Sequence, residues 1–266
     1  MLIVYFGADA GCGCTMLAQS TANYAARKYP DKKILILSLS GYVGGEYAET
    51  EFNYGIDNLQ VKLKSDVLTI EEVESMCSIR KNLYMLQGSR ILKQRKEYMP
   101  EDITRLMKLS EKKFDYIIAD AGCSVDLGMG LGALNCGGRN LLVTTQSQRA
   151  FTRHMQKENI LKTLGIQFSD LIINKFISKH FLPSEKVVRD SYKFDKCSVI
   201  EYSDYGMQAE EEGNGLEHLD KAYKKQIEEI LESIFYADSQ NHPFILKHGR
   251  KSIFPSLEML GGKRYE

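Results

Sequence analysis

The sequence lacks three features that would place it in a specialised class of protein. It has no net charge, because 35 Lys and Arg residues balance 35 Asp and Glu residues in a chain of 266. It has no apolar run approaching the roughly 18 residues of a membrane-spanning helix. It has only six cysteines. These absences argue against a nucleic-acid coating protein, a membrane-spanning protein and a disulfide-stabilised scaffold.

The cellular compartment follows from the same absences. Six cysteines in a chain of this length suit a reducing compartment, where thiols stay free. The first apolar run, at 2–6, has no positively charged leader before it and no small-residue cleavage pattern after it. We therefore expect a cytoplasmic protein whose contact with a membrane or a polar site is at most peripheral.

Short apolar runs rich in β-branched residues alternate with longer helical patterns along the chain. The runs lie at 2–6, 34–40, 83–86, 116–120, 140–145, 171–175 and 197–202. The helical patterns lie at 15–29, 100–112, 148–164 and 215–236. This order predicts an α/β fold with a single doubly wound, mostly parallel sheet of about seven strands flanked by helices. We assign residues 1–236 to this domain and residues 237–266, which contain Pro, Gly and basic residues, to a C-terminal tail or irregular extension.

The first strand leads into ADAGCGCT, at residues 8–15, which has the spacing of a phosphate-binding loop. Such a loop holds an anion with backbone N–H groups and the positive end of a helix. In the usual spacing G-x-x-x-x-G-K-[ST], Ala8 takes the place of the first glycine and Gly13 that of the second. Cys14 stands at the lysine, and Thr15 supplies the hydroxyl that ligates magnesium. The loop therefore predicts a phosphate site without its usual cation.

The ordered segments ADAGCGCT, ILILSLS, FDYIIADAG and LIINKF resemble the MinD/ParA family of deviant P-loop ATPases, which belong to the SIMIBI-type P-loop NTPases. The resemblance implies an ATP or ADP site with Mg²⁺ and a homodimer that sandwiches the nucleotide. It assigns the Mg²⁺ site to Thr15 and Asp120 and adenine recognition to Asn174, and it makes Gly122 part of the phosphate-sensing switch. The nucleotide-binding residues it implies are Asp9, Ala10, Gly11, Cys12, Gly13, Cys14, Thr15, Met16 and Asn174.

Several charged groups of the family motif are missing from this sequence. The lysine that crosses the dimer is replaced by Asp9, and the P-loop lysine is replaced by Cys14. The second strand ends in Ser38-Leu39-Ser40 where the family has D-x-D. Phosphoryl transfer depends on positioning and charge stabilisation, so these losses should impair hydrolysis more than binding. We expect a pseudo-ATPase or a weakly catalytic protein.

Within the family, the segment from 82 to 120 resembles the TadZ/CpaE pilus-assembly branch. This implies a positioning or scaffold protein that localises a pilus or secretion machine through dimerisation. No strong nucleic-acid signal is present, although the basic run at 89–96 fits contact with an acidic partner or with nucleic acid. The glycines between 128 and 138 predict a close-packed helix, which the family uses in its dimer face.

Two alternatives remain open from the sequence. One is a true ATPase whose missing lysine is replaced by Lys175 or by a partner's Arg139 or Arg149. The other is a metal or Fe–S protein at a dimer interface, ligated by the thiols of Cys12, Cys14 and Cys123. A cysteine at a helix start would also have a lowered pKa, which predicts that Cys14 is sensitive to oxidation.

Overall fold

The computed structural model describes residues 1–47 and 54–240 of the chain, with side chains to residue 235. These residues form one eight-stranded sheet in the order β3-β4-β2-β5-β1-β6-β7-β8. The strands are β1 Leu2–Gly7, β2 Ile34–Ser38, β3 Ser78–Arg80, β4 Leu83–Leu86, β5 Tyr116–Asp120, β6 Arg139–Thr144, β7 Asp170–Phe176 and β8 Cys197–Glu201.

All neighbouring strands pair in parallel except β3 and β4, which are antiparallel. The central strand β1 lies between β5 and β6, with Val4 opposite both Ala119 and Asn140. Every residue of β1 and β2 is buried, as expected for parallel strands covered on both faces. The predicted doubly wound sheet is confirmed, with eight strands rather than seven. The three-residue edge strand β3 is too short to leave a sequence pattern.

Ten helices cover the sheet within the described residues. They are α1 Cys14–Lys28, α2 Gln60–Lys64, α3 Ile70–Cys77, α4 Pro100–Ser110, α5 Gly128–Leu134, α6 Gln148–Thr163, α7 Glu185–Ser191, α8 Gly206–Glu211, α9 Leu216–Leu219 and α10 Lys221–Gln240. None of the described helices is both long enough and apolar enough to cross a bilayer.

The last predicted helix, at 215–236, is divided in two by Asp220. This residue leaves the helical conformation, with φ −120° and ψ 109°. Its carboxylate accepts hydrogen bonds from the backbone N–H groups of Ala222 and Tyr223, at 2.8 and 3.1 Å, and so starts α10. The apolar stripe continues through both pieces, but the capping residue interrupts the backbone. Most of the predicted tail, from 241 onward, lies outside the described residues.

Candidate phosphate-binding site

The loop after β1 lies at the carboxyl end of the central strand, where the sheet places β5 and β6 on either side. Ligands of open α/β sheets bind at this kind of position. Gly11 and Gly13 have φ of 78° and 93°, which non-glycine residues rarely adopt. Gly13 starts α1, and no side chain caps this helix start. The first N–H groups of α1 have no partner within the helix, so they are available to an anion.

All ten predicted nucleotide and Mg²⁺ residues line one cleft of about 800 Å³. The side chains of Cys12, Cys14 and Met16 are buried, so the loop presents mainly its backbone to the cleft, as a phosphate-binding loop does. The exposed loop residues are Ala10 and Gly11. The structure therefore brings the predicted residues together at one surface, with the backbone as the main contact a ligand would meet.

Thr15 and Asp120, the predicted Mg²⁺ residues, are in direct contact. The Thr15 hydroxyl donates to Asp120 Oδ2 at 2.6 Å, and the Gly122 N–H donates to Asp120 Oδ1 at 3.0 Å. Burial raises the pKa of Asp120, although these two hydrogen bonds oppose the rise. A hydroxyl and a carboxylate at one point suit a hard divalent cation, and such a cation would favour the ionised carboxylate.

Asn174 is buried beneath the loop at the end of the apolar part of β7. Its Nδ2 donates to the Cys12 carbonyl oxygen at 2.9 Å. A Cβ on Gly13 would lie 2.3 Å from this nitrogen, so the amide also enforces glycine there. The contact gives Asn174 a role in shaping the loop that the sequence did not predict. Recognition of adenine by the same side chain stays a prediction.

Cys12 and Cys14 in the loop are buried, and Cys123, which follows β5, is half-buried; all three are neutral thiols. Burial raises the pKa of Cys12, Cys14 and Cys123 above the ordinary value. The expected low pKa at Cys14 is therefore wrong, because burial outweighs the effect of the helix start. In the described part of the chain no three His, Cys, Asp or Glu side chains are arranged to hold a metal ion. This gives no support to the metal or Fe–S alternative.

The proposed replacement cations are mostly engaged elsewhere. The Arg139 guanidinium holds Asp170 with two bonds of 2.8 Å and donates to the Ile234 carbonyl oxygen at 3.0 Å. It lies at the start of β6, at the opposite end of the sheet from the loop. Arg149 binds Asp9 of its own chain at 2.7 Å. Arg139 is thus engaged far from the loop, and Arg149, whose side chain is 72% exposed, is paired with Asp9; their action on a partner's nucleotide stays a prediction.

Asp9 is less repulsive to phosphate than its sequence position suggests. Burial opposes its ionisation, but the Ala10 N–H and the Arg149 guanidinium outweigh this effect, and the pKa of Asp9 is lowered. The carboxylate is thus ionised but paired with a cation. Lys175, the third proposed cation, is exposed and donates to the Gly11 carbonyl oxygen at 3.0 Å.

Sequence reasoning did not place in the site the cations that the fold brings to this region. Arg95 and Lys96, from the basic run at 89–96, line the cleft, and the Arg95 guanidinium lies 5.0 Å from the centre of the Tyr42 ring. Lys157 on α6 reaches the first residues of the loop. The basic run did signal the first two residues. Lys157 left no signal, because a lysine on a surface helix is ordinary.

Comparison with solved structures gives the fold a precedent. A ParA family ATPase from Chlorobium tepidum TLS superposes with a TM-score of 0.74, at 19% identity over 86% of this chain and 98% of the other. This chain has the ParA/MinD fold. The septum site-determining protein MinD from Pyrococcus horikoshii OT3, complexed with Mg-ADP, gives a TM-score of 0.72 at 15% identity, covering 91% and 99% of the two chains.

A third protein of the same fold is a variant of Cyanothece McdA in complex with ATP, with a TM-score of 0.65 at 17% identity, covering 88% and 96% of the chains. No protein-family model and no curated protein sequence matches the chain. At these identities the ParA/MinD likeness establishes the architecture, and the function has to be argued from the cleft.

Proposed function

We propose that this protein is a nucleotide-binding positioning protein of the MinD/ParA family that binds ATP or ADP with Mg²⁺ and hydrolyses it slowly or not at all. The observation that carries the proposal is the hydrogen bond between Thr15 and Asp120 beside the uncapped start of α1. A phosphate site needs backbone donors and a place for the cation, and the N–H groups at the start of α1 and the Thr15–Asp120 pair support this use of the cleft. Structures of this fold bound to Mg-ADP and ATP support the choice of ligand.

Slow or absent hydrolysis follows from the missing charges. Cys14 is a buried neutral thiol and Asp9 is paired with Arg149, so neither side chain can stabilise charge that develops on a transferred phosphoryl group. Binding depends less on these groups, because the backbone N–H groups remain. The bound nucleotide would then act as a structural or switching ligand.

The finer assignment is a TadZ/CpaE-like role in localising a pilus or secretion machine as a homodimer. It is supported by the sequence between β4 and β5, which resembles that branch. A MinC:MinD cell division protein complex of Aquifex aeolicus has the same fold and shows a member acting with a protein partner. For this chain we propose partners of the same general kind, proteins of a larger assembly.

Calorimetric titration with Mg-ATP tests the proposed binding. We expect a dissociation constant in the micromolar range, corresponding to about −8 kcal/mol, with phosphate release near the uncatalysed background. Thr15→Ala removes one ligand of the cation and should weaken Mg-ATP binding about tenfold. Thr163→Ala is the matched control, because the Thr163 hydroxyl lies at the end of α6 and donates to the Asn159 carbonyl oxygen one turn earlier.

Two results would count against this proposal. Absence of heat at millimolar Mg-ATP would mean that the loop is not a phosphate site. Phosphate release at the rate of an ordinary ATPase would contradict the weakly catalytic assignment. Light scattering with and without Mg-ATP tests the homodimer, which should form or strengthen with nucleotide.

A further inference from the structure

The phosphate loop has no cation of its own at the motif position. The Cys14 side chain is only 8% exposed, and its Sγ would lie 3.2 Å from a Cβ placed on Gly7. The position therefore lines the cleft but packs against the end of β1 and carries a neutral thiol. Any positive charge at the base of the loop must come from another element.

Lys157 reaches this place from α6. Its Nζ donates to the carbonyl oxygens of Ala8 at 2.8 Å, Gly7 at 3.2 Å and Cys123 at 2.7 Å. Gly7 is the last residue of β1 and Ala8 is the first residue of the loop, whereas Cys123 follows Gly122 after β5. The ammonium also lies 5.0 Å from the centre of the Phe6 ring. Lys157 lines a smaller pocket that adjoins the cleft and shares Asp9, Cys123, Ser124 and Asp126 with it. One charged group therefore joins, from beside the cleft, two backbone segments that border it.

The geometry requires the charged form of this lysine. Three separate hydrogen bonds to carbonyl oxygens need three N–H donors on one nitrogen. The ammonium has three, whereas the neutral amine has two. Burial lowers the pKa of Lys157 and the nearby Cys123 and Asp9 oppose the change. A half-buried charge so close to the loop acts more strongly on an anion than an exposed one.

The hydrogen bonds to Lys157 also orient the peptide groups to which these carbonyls belong. In a trans peptide the C=O and the following N–H point in opposite directions. Carbonyl groups turned toward Lys157 therefore turn the N–H groups of Asp9 and Ser124 away from it. Both of these residues line the cleft. Lys157 thus fixes the orientation of backbone on either side of the site.

We propose that Lys157 is the cation of the phosphate loop and replaces, from α6, the lysine that Cys14 has displaced. It acts as a positioning and charge-compensating residue for the phosphates of a bound nucleotide, with its N–H groups held by the loop carbonyls. The inference rests on the proposed function, since it concerns the same nucleotide site. Lys175 does not meet the same conditions, because it is exposed and holds one loop carbonyl.

Removing the lysine at position 157 and introducing one at position 14 tests the proposal. Lys157→Met should weaken Mg-ATP binding at least tenfold in calorimetry, and adding Cys14→Lys should restore most of the loss. Lys162→Met removes a lysine from the same helix, one that pairs with Glu158 at the surface, and is the matched control; it should change the affinity less than threefold. Circular dichroism and the unfolding midpoint of each variant show whether it remains folded.

A single variant tests the same point without removing Lys157. If Lys157 already supplies the charge, Cys14→Lys alone should raise the Mg-ATP affinity less than threefold. A tenfold or larger gain would show that the loop lacked a cation, and would overturn the inference. Unchanged binding by folded Lys157→Met, or a loss that Cys14→Lys fails to restore, would also overturn it. Wild-type protein that binds no Mg-ATP would instead refute the proposed function on which it rests.

Discussion

At the residue scale, buried polar side chains determine the shape of the cleft. Asn174 supports the Cys12 carbonyl and Asp120 joins Thr15 to Gly122, so one amide and one carboxylate connect three separate segments. A buried polar group that loses its partner costs about 1–3 kcal/mol, which keeps such contacts intact. The cleft is therefore preformed in the folded chain, and a ligand need not order the loop in order to bind.

His154 is a second buried polar residue, on the inner face of α6. It packs beside the rings of Phe168 and Tyr192, and in the described structure its Nδ1 has no hydrogen-bond partner. Burial lowers the pKa of His154 to about 4, and the neighbouring Lys157 and Lys162 add to this effect while Glu158 opposes it. The folded protein therefore favours the neutral form of the His154 ring.

We predict that the protein loses stability as the pH falls from about 6.5 to about 4. The unfolded chain binds a proton at His154 in this window and the folded chain does not, so protonation favours unfolding. The difference between the two pKa values corresponds to about 3 kcal/mol. His154→Leu should flatten this part of the pH dependence in urea unfolding experiments, whereas His180→Leu at the surface should not. An unchanged profile in His154→Leu would contradict the assignment.

At the element scale, the glycines of α5 bring this helix against its own domain. A Cβ on Gly132 would lie 2.6 Å from both Ile103 Cβ and the Pro100 carbonyl oxygen, and one on Gly128 would lie 2.1 Å from the Tyr98 carbonyl oxygen. These contacts are with α4 and the segment before it. The sequence pattern was correctly interpreted as close helix packing, and within the chain the helix that requires these glycines is α4. A dimer contact of α5 stays a prediction.

We therefore predict that Gly132→Val lowers stability by about 1–3 kcal/mol through overpacking between α4 and α5. Gly206→Ala is the matched control, since a Cβ at this first residue of α8 meets no atom within 4 Å. Chemical denaturation should separate the two variants clearly. If Gly132→Val kept the wild-type stability and lost self-association instead, the glycines would belong to a dimer face after all.

The elements also show where sequence reasoning succeeds and where it stops. The buried parallel strands were predictable because their side chains are apolar along almost the whole strand, as in β1 and β2. The break at Asp220 was not, because a polar residue between two apolar stripes gives no periodicity signal. Among the site residues, the loop and Asp120 followed from local patterns. Lys157 did not, because its role arises only when α6 packs beside the loop.

At the scale of the whole molecule, the cleft walls carry opposite charges. Arg95, Lys96 and Lys175 contribute cations, while β8 and the segment after it contribute Glu201 and Asp204. A nucleotide with three phosphates would meet both signs, so its binding should depend on Mg²⁺ to offset the acidic side. The chain as a whole has no net charge, but positive and negative side chains lie on different walls of the cleft.

The most direct test of the central claim is the nucleotide content of the freshly purified protein. Denaturation followed by chromatography identifies what is released, and titration of the emptied protein with Mg-ATP follows. We predict that adenine nucleotide is released or that the emptied protein binds Mg-ATP in the micromolar range, in either case without appreciable turnover. Protein that releases no nucleotide and gives no heat at millimolar Mg-ATP would contradict the claim that this loop, without its lysine, is still a phosphate site.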